Sequence, residues 1–276
     1  MKKLQILLFV LISNVIFCQN KVFLYEYKSI PDSTNKQNIK TEMMVLNINK
    51  DKSEFYSLEK FQMDSINLAE SQKAVGIAPP PPPQKKMNSN RVIKHINSKN
   101  IEFITQVLRD KYDVSQEIDL KWQLKNEFET ILGYKVQKAT TYFAGRKWVA
   151  WFTKEIPIQD GPYKFSNLPG LILKIEDSEK YHIFELKAIR KGQENFTYPK
   201  LKNGNQDVKI SYPQYVKIYQ NYRQNPAGNL AVDIPDYKDE SGKLVSQAKF
   251  RKEVEKMSEE EIAKDNNILE IDLLKN

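Results

Sequence analysis

Two histidines, one cysteine and a few acidic residues beside turns are the side chains here whose types could do chemistry. His95 and His182 stand far apart, each in a stretch that reads as a strand, where a histidine is better explained as a hydrogen-bonded sheet residue than as a ligand. Neither falls in a His-x-x-x-His or Glu-x-x-His spacing, and there are no paired cysteines, so no metal site is expected. Asp236, Asp239 and Glu240 miss the EF-hand spacing and read as a polar loop. No Gly-x-Ser-x-Gly elbow, phosphate-cradling glycine loop or dinucleotide fingerprint occurs, so no cofactor is expected either. What remains for catalysis is a pair of carboxylates for glycoside hydrolysis, which must sit ~5–9.5 Å apart. Glu155, Asp160 and Asp177 are the first candidates. Asp160-Gly161 and Asp177-Ser178 are also turn-forming pairs, and that reading is preferred. The chain is therefore read as non-enzymatic, with a hydrolase as the lesser alternative.

The aromatic residues suggest a different activity. Trp148, Ala150 and Phe152 share one face of a strand and Val149 and Trp151 the other, the pattern of a central strand covered on both sides. Pro157 ends it, and Gly161-Pro162 turns the chain. Tyr163 and Phe165 then cross toward Leu168, and Pro169-Gly170 suits the centre of a type II turn, with Asn167 just before it. A connection this rich in apolar groups must pack onto the sheet or present them to something else. Trp148, Phe152, Tyr163, Phe165 and Leu168 are accordingly the candidate lining of a cavity or flap for an apolar or lipid-like ligand.

The elements that must position these residues are mostly strands. Val22 to Lys28, Thr41 to Asn49, Glu54 to Leu58, Arg91 to Asn97 and Ile101 to Leu108 combine β-branched and aromatic residues with partial alternation. Leu120, Trp122 and Leu124 alternate with polar residues as a half-buried strand. Tyr134 to Phe143 and Lys147 to Lys154 form a hairpin about Ala144-Gly145-Arg146. Gly170 to Asp177 and Lys180 to Arg190 flank a second tight turn. Helices are expected over Glu59 to Val75, over Pro213 to Arg223 with Ser211 as cap, and along Phe250, Val254 and Met257. Ser258 and Glu261 have the capping-box spacing of a short final helix. Five consecutive prolines, Pro79 to Pro83, place a polyproline II excursion at about 72–90. The expected fold is mainly β (α+β): one domain over 19–276, a curved antiparallel sheet or half-open barrel with a few helices on one face.

Lys2 and Lys3 precede an apolar run from Leu4, and polar residues resume at Gln19, which reads as a signal peptide over 1–18. The run is shorter than the ~20 residues needed to span a bilayer, so no transmembrane span is expected after its removal. Cys18 is the only cysteine, and a chain cut after it can form no disulfide. Removing Lys2 and Lys3 from the 43 basic residues leaves 41 against 35 acidic ones, interspersed as on a solvated surface and not gathered into a nucleic-acid arm.

The stretch Asn167-Leu168-Pro169-Gly170-Leu171-Ile172 resembles the hexapeptide that names the GLPGLI family. The resemblance extends over Gly133-Tyr134-Lys135, Gly145-Arg146, Trp148, Ala150 to Thr153, Glu155-Ile156-Pro157, Gly161 to Phe165 and Asn267 to Ile271. It implies an exported bacterial envelope protein and supplies no catalytic residues. Asn167 stands where the name has Gly, and Val136 where a cysteine is frequent. The expected architecture is similar to the lipoprotein-carrier type of half-barrel. The expected function is binding of an apolar ligand or an envelope partner in the periplasm or at the outer membrane, or alternatively service as an accessory of an outer-membrane transporter.

Overall fold

The computed structural model describes residues 20–73, 88–96, 98–108, 110–193, 196–200, 207–226, 236–238, 242 and 244–275. The stretch 1–18 that reads as a signal peptide, with Cys18, and the five prolines lie outside the described residues. Twelve strands form one open, mixed and mostly antiparallel sheet. In chain order they are β1 (Lys21–Ser29), β2 (Lys40–Ile48), β3 (Lys52–Ser57), β4 (Arg91–His95), β5 (Asn100–Val107), β6 (Asp110–Glu117), β7 (Gln123–Ile131), β8 (Tyr134–Phe143), β9 (Arg146–Thr153), β10 (Leu171–Asp177), β11 (His182–Lys191) and β12 (Val208–Ser211). Two short strands, β13 (Tyr237–Lys238) and β14 (Leu244–Val245), pair separately. The helices are α1 (Leu58–Lys73), α2 (Tyr212–Gln224) and α3 (Gln247–Ala263), and a 3-10 turn spans Ile271–Leu274.

The sheet order is β12-β6-β5-β4-β3-β2-β1-β11-β10-β9-β8-β7, two meanders joined where β1 pairs with β11. This order dictates curvature. Strands β6 and β7 are separated by ten interstrand gaps, about 48 Å if laid flat. Residues 118–122 alone connect them, a reach of about 22 Å at full extension. The sheet must therefore roll until its two flanks approach. Its concave side holds the main core, with Phe23, Tyr25, Met44, Phe55, Phe103, Trp148, Phe152 and Phe184 among its buried side chains. Leu24, Val45 and Tyr56 point the other way, where Phe61 of α1 and the segment carrying Phe196 and Tyr198 cover them.

Local chemistry sets the helix starts. Ser57 Oγ accepts from Lys60 N at 3.2 Å at the head of α1. Gln214 Oε1 accepts from Ser211 N at 2.8 Å ahead of α2, and Ser246 Oγ accepts from Lys249 N at the head of α3. Ser258 lies inside α3 instead of opening a short final helix. No Gly or Pro interrupts 247–263, so strong helix formers carry the helix through.

Three strand expectations change. Leu120 and Trp122 belong to the flank-to-flank connection, not to a strand, and Trp122 Nε1 donates to Ser166 O at 2.8 Å. Strand β6 had no sequence signal, because Val114 is its only buried residue. Its outer neighbour β12 runs parallel to it, the one departure from antiparallel pairing in the large sheet.

Candidate functional site

Trp148, Phe152, Tyr163, Phe165 and Leu168, the proposed cavity or flap lining, lie together in one internal plug. The β9–β10 connection folds back into the concave side of the sheet. Phe165 N donates to Pro162 O at 3.1 Å, closing a turn in which Tyr163 has φ +53°, and Asp160 bridges to Ser166. Phe165 packs on Trp148 at 4.7 Å between ring centres and edge-on to Phe143 at 5.6 Å. On the opposite flank Tyr163 meets Phe103 of β5 edge-to-face at 6.1 Å. Phe152 and Leu168 complete the same cluster. The plug thus ties the two halves of the rolled sheet together, with most of its rings in the offset and edge contacts that aromatic quadrupoles favour.

The turn itself differs from a type II geometry. Gly170 has φ +149°, and its N–H reaches Leu168 O at 2.7 Å. Glycine is required there by close approach: a Cβ would lie 1.9 Å from Thr153 O. Asn167, at φ +70°, takes the left-handed conformation that its short polar side chain tolerates. The outer side of β9 also departs from expectation, since Val149 and Trp151 are half-buried while Trp148, Ala150 and Phe152 are enclosed.

Two buried charge networks, missed in the sequence, hold the plug and the C-terminal segment. Lys164 is 0% exposed and pairs with Glu270. It also donates to Gln116 Oε1 at 2.6 Å and stands 4.0 Å from the centre of the Phe103 ring. Glu270 accepts from Tyr163 Oη at 2.5 Å and from Tyr212 Oη at 2.6 Å. Burial alone would raise the Glu270 carboxyl, but the Lys164 ammonium and these hydrogen bonds hold it below the usual carboxylate value. Burial pushes Lys164 down against the pull of Glu270.

The second network starts at Arg146, placed by the β8–β9 hairpin whose Ala144 and Gly145 both have positive φ. Arg146 donates to Asp177 Oδ2 at 3.1 Å, Asn267 Oδ1 at 2.6 Å, Ile268 O at 2.7 Å and Leu269 O at 3.1 Å. Asp177 also accepts from His182 N at 2.7 Å. Tyr27 Oη lies 2.7 Å from His182 Nδ1, and His182 Nε2 lies 3.0 Å from Asn267 O. That places the proton on Nε2, and burial together with the Arg146 charge lowers the imidazole to about 3. A third buried cation, Lys94, pairs with Asp160 and donates to Gly161 O at 2.7 Å, bracing the plug from β4. The only sequence hint for these was a lysine set between two aromatics, Tyr163-Lys164-Phe165.

Asp177 does not converge with the other two carboxylate candidates. Asp177 pairs in register with Trp148, and Leu171 with Thr153. The five residues along β9 already amount to about 16 Å, before the chain reaches Glu155, whose Oε1 accepts from Lys135 N at 2.9 Å. Asp160, beside Ile172, is a similar distance along β10 from Asp177. His95 is exposed and lies 2.9 Å from Glu102. Among the described residues no three His, Cys, Asp or Glu side chains gather as a metal site, and no helix is long and apolar enough to cross a membrane.

The open concavity lies on the other side of β9. A shallow groove of about 290 Å³ crosses the convex face of β7, β8 and β9, lined by Lys121, Lys125, Lys138, Lys147, Thr140 and Val149 among others. Tyr142, also lining it, is 77% exposed.

Fold and site together define an open, rolled β-sheet protein with an aromatic plug and an external cationic groove. A family described as "Protein of unknown function (Porph_ging)" matches residues 144–174, which span the end of the β8–β9 hairpin, the plug and the start of β10. No curated protein matches the sequence. Among solved structures, two crystal forms of PNGF-II resemble the chain with TM-scores of 0.50 and 0.51 at 17% and 16% identity. They cover 72% of this chain and 32% and 33% of their own, so the chain spans about a third of PNGF-II, and the likeness is one of fold.

Proposed function

We propose that this chain is an exported cell-envelope protein of the GLPGLI type that works by binding and not by catalysis, using the convex face of β7–β9. The observation that carries the reading is the two-sidedness of β9. On its concave side Trp148 packs tilted against Phe165 with ring centres 4.7 Å apart, which leaves no room between them for an apolar ligand. On its convex side Val149 and Trp151 are half-buried beside an open groove. Trp148, Phe152, Tyr163, Phe165 and Leu168 then serve the site from behind, by fixing the curvature of the strands that carry it. The acidic groups near the plug are already engaged, Asp177 by Arg146 and Asp160 by Lys94, which disfavours the hydrolase alternative.

Native mass spectrometry on protein purified from its own envelope tests this reading. The wild type should carry a component that a variant altered at Tyr142 and Lys147 lacks. Identical spectra for the two would remove the groove from consideration.

A second reading, an accessory of an outer-membrane transporter, is favoured by β7. It is the last strand of the sheet, and Leu124 and Phe128 on it and Leu132 just after it are about half exposed. A terminal strand with exposed apolar groups can accept a partner strand. Cross-linking from residue 128 to a barrel protein would support it, and exclusive cross-linking from residue 142 would favour the groove.

A further inference from the structure

We propose that the groove across β7–β9 binds an acidic polysaccharide chain, a ligand class that rests on the binding role proposed for this face. Four lysines line the groove, Lys121, Lys125, Lys138 and Lys147, against one lining carboxylate, Glu127. Glu127 is neutralised by Lys138 at 2.7 Å, and Lys121 answers Asp119 outside the lining. Lys147 has no carboxylate partner among the described residues. The groove therefore carries uncompensated positive charge: Lys125, Lys138 and Lys147 stand on β7, β8 and β9, and Lys147, opposite Tyr142, lies four residues along the ladder from Lys138, about 13 Å away. That spacing suits a ligand with anionic groups repeated along a chain.

The floor of the groove selects against a peptide. Over β8 and β9, away from the open edge of β7, it is the face of a sheet, where backbone N–H and C=O groups are already spent in the ladders β7·β8, β8·β9 and β9·β10. A bound peptide would find no backbone partners there and would leave its own amides unpaired. A sugar chain has no such requirement: its hydroxyls and carboxylates can pair with the side chains of Gln123, Thr140 and the lysines. Tyr142, 77% exposed at the groove, supplies a flat apolar surface for the C–H face of a sugar ring. Lys138 itself is held over the Trp151 ring, its Nζ 5.8 Å from the ring centre. A lipid bilayer is a poorer fit, since a concave groove cannot lie flat against a headgroup plane.

The test uses the full mature chain and titrates it by calorimetry with oligogalacturonate, with an uncharged oligosaccharide of equal length, with oligoglutamate and with anionic vesicles. Oligogalacturonate should bind, with affinity falling at least tenfold as salt is raised from 50 to 500 mM. Lys147→Glu should weaken it at least tenfold and Tyr142→Ala at least threefold, both at unchanged Tm. Equal binding of the uncharged sugar, of oligoglutamate or of vesicles would overturn the proposal, as would indifference to Lys147→Glu. The envelope comparison separates the two levels. Failure with oligogalacturonate while groove variants still lose a native component rejects the sugar and keeps the site; no loss in any groove variant rejects the site itself.

Discussion

Tyr163 Oη donates to Glu270 Oε1 at 2.5 Å across 107 positions of sequence, joining the aromatic plug to the C-terminal segment. Tyr163 sits at φ +53°, a conformation costing a bulky residue on the order of 1–3 kcal/mol. The carboxylate it reaches is shared with Lys164 and Tyr212, so one buried acid sets the plug, α2 and the 3-10 turn in place. Tyr163→Phe should therefore lower stability by about 1.5–3 kcal/mol in urea unfolding, the scale of a hydrogen bond to a charged group. A loss below about 0.5 kcal/mol would show that packing alone fixes the turn.

Lys164 and Glu270 should behave as a coupled pair. Lys164→Met or Glu270→Gln alone strands a buried polar partner and should cost about 3–5 kcal/mol. The double variant should cost clearly less than the sum of the two. Additive losses in a double-mutant cycle would mean that the ion pair is not the unit of stability here.

Acid should unfold the protein in two overlapping windows. His182 is held neutral at about 3 in the fold against 6.5 when unfolded, so the unfolded chain binds more protons between those values. Stability is therefore full above about 6.5 and falls toward pH 3, by on the order of 5 kcal/mol at most. Glu270, held below its ordinary value, adds stability above that value and loses it as pH falls through the depressed one. His182→Gln preserves a donor and an acceptor without titrating, and should flatten the stability profile between pH 4 and 6.5. An unchanged profile would assign the acid sensitivity elsewhere.

The two signature residues around Pro169 should differ sharply on substitution. Gly170→Ala drives a Cβ against Thr153 O and should cost several kcal/mol, because the contact is with backbone that cannot rotate away. Asn167→Gly keeps the left-handed conformation and should cost no more than about 1 kcal/mol. Thermal denaturation distinguishes these directly.

The faces of the β8–β9 hairpin should also separate. Trp148→Ala empties a fully enclosed site and should cost about 3–5 kcal/mol. Tyr142→Ala, on the exposed side, should stay within about 0.5 kcal/mol. Comparable losses for both would mean that the convex face is covered in solution, by a partner or a second copy.

Much of the fold was legible because it is local. The hairpin at Ala144-Gly145, the strands on either side of it, and α2 behind Ser211 follow from alternation and turn chemistry within a few residues. The site was less legible. Trp148, Phe152, Tyr163, Phe165 and Leu168 share one buried cluster, yet their pattern in sequence could not say whether they line a cavity or fill one. The groove was not legible, since Lys121, Lys138 and Lys147 read singly as solvated surface. The networks of Lys164 and Arg146 were not legible because a charge reads as exposed until its distant partner, Glu270 or Asn267, is brought to it.

By itself, the sequence determined the strand-rich character, the hairpins and the apolar faces, because side-chain periodicity and turn residues act over distances of a few residues. Only the tertiary structure decided that β1 joins β11, that the sheet rolls until β6 and β7 approach, and that Asn267 to Glu270 close over Arg146 and Lys164. Those outcomes depend on which buried charge finds which distant partner, and on how far five residues can stretch across a curved sheet.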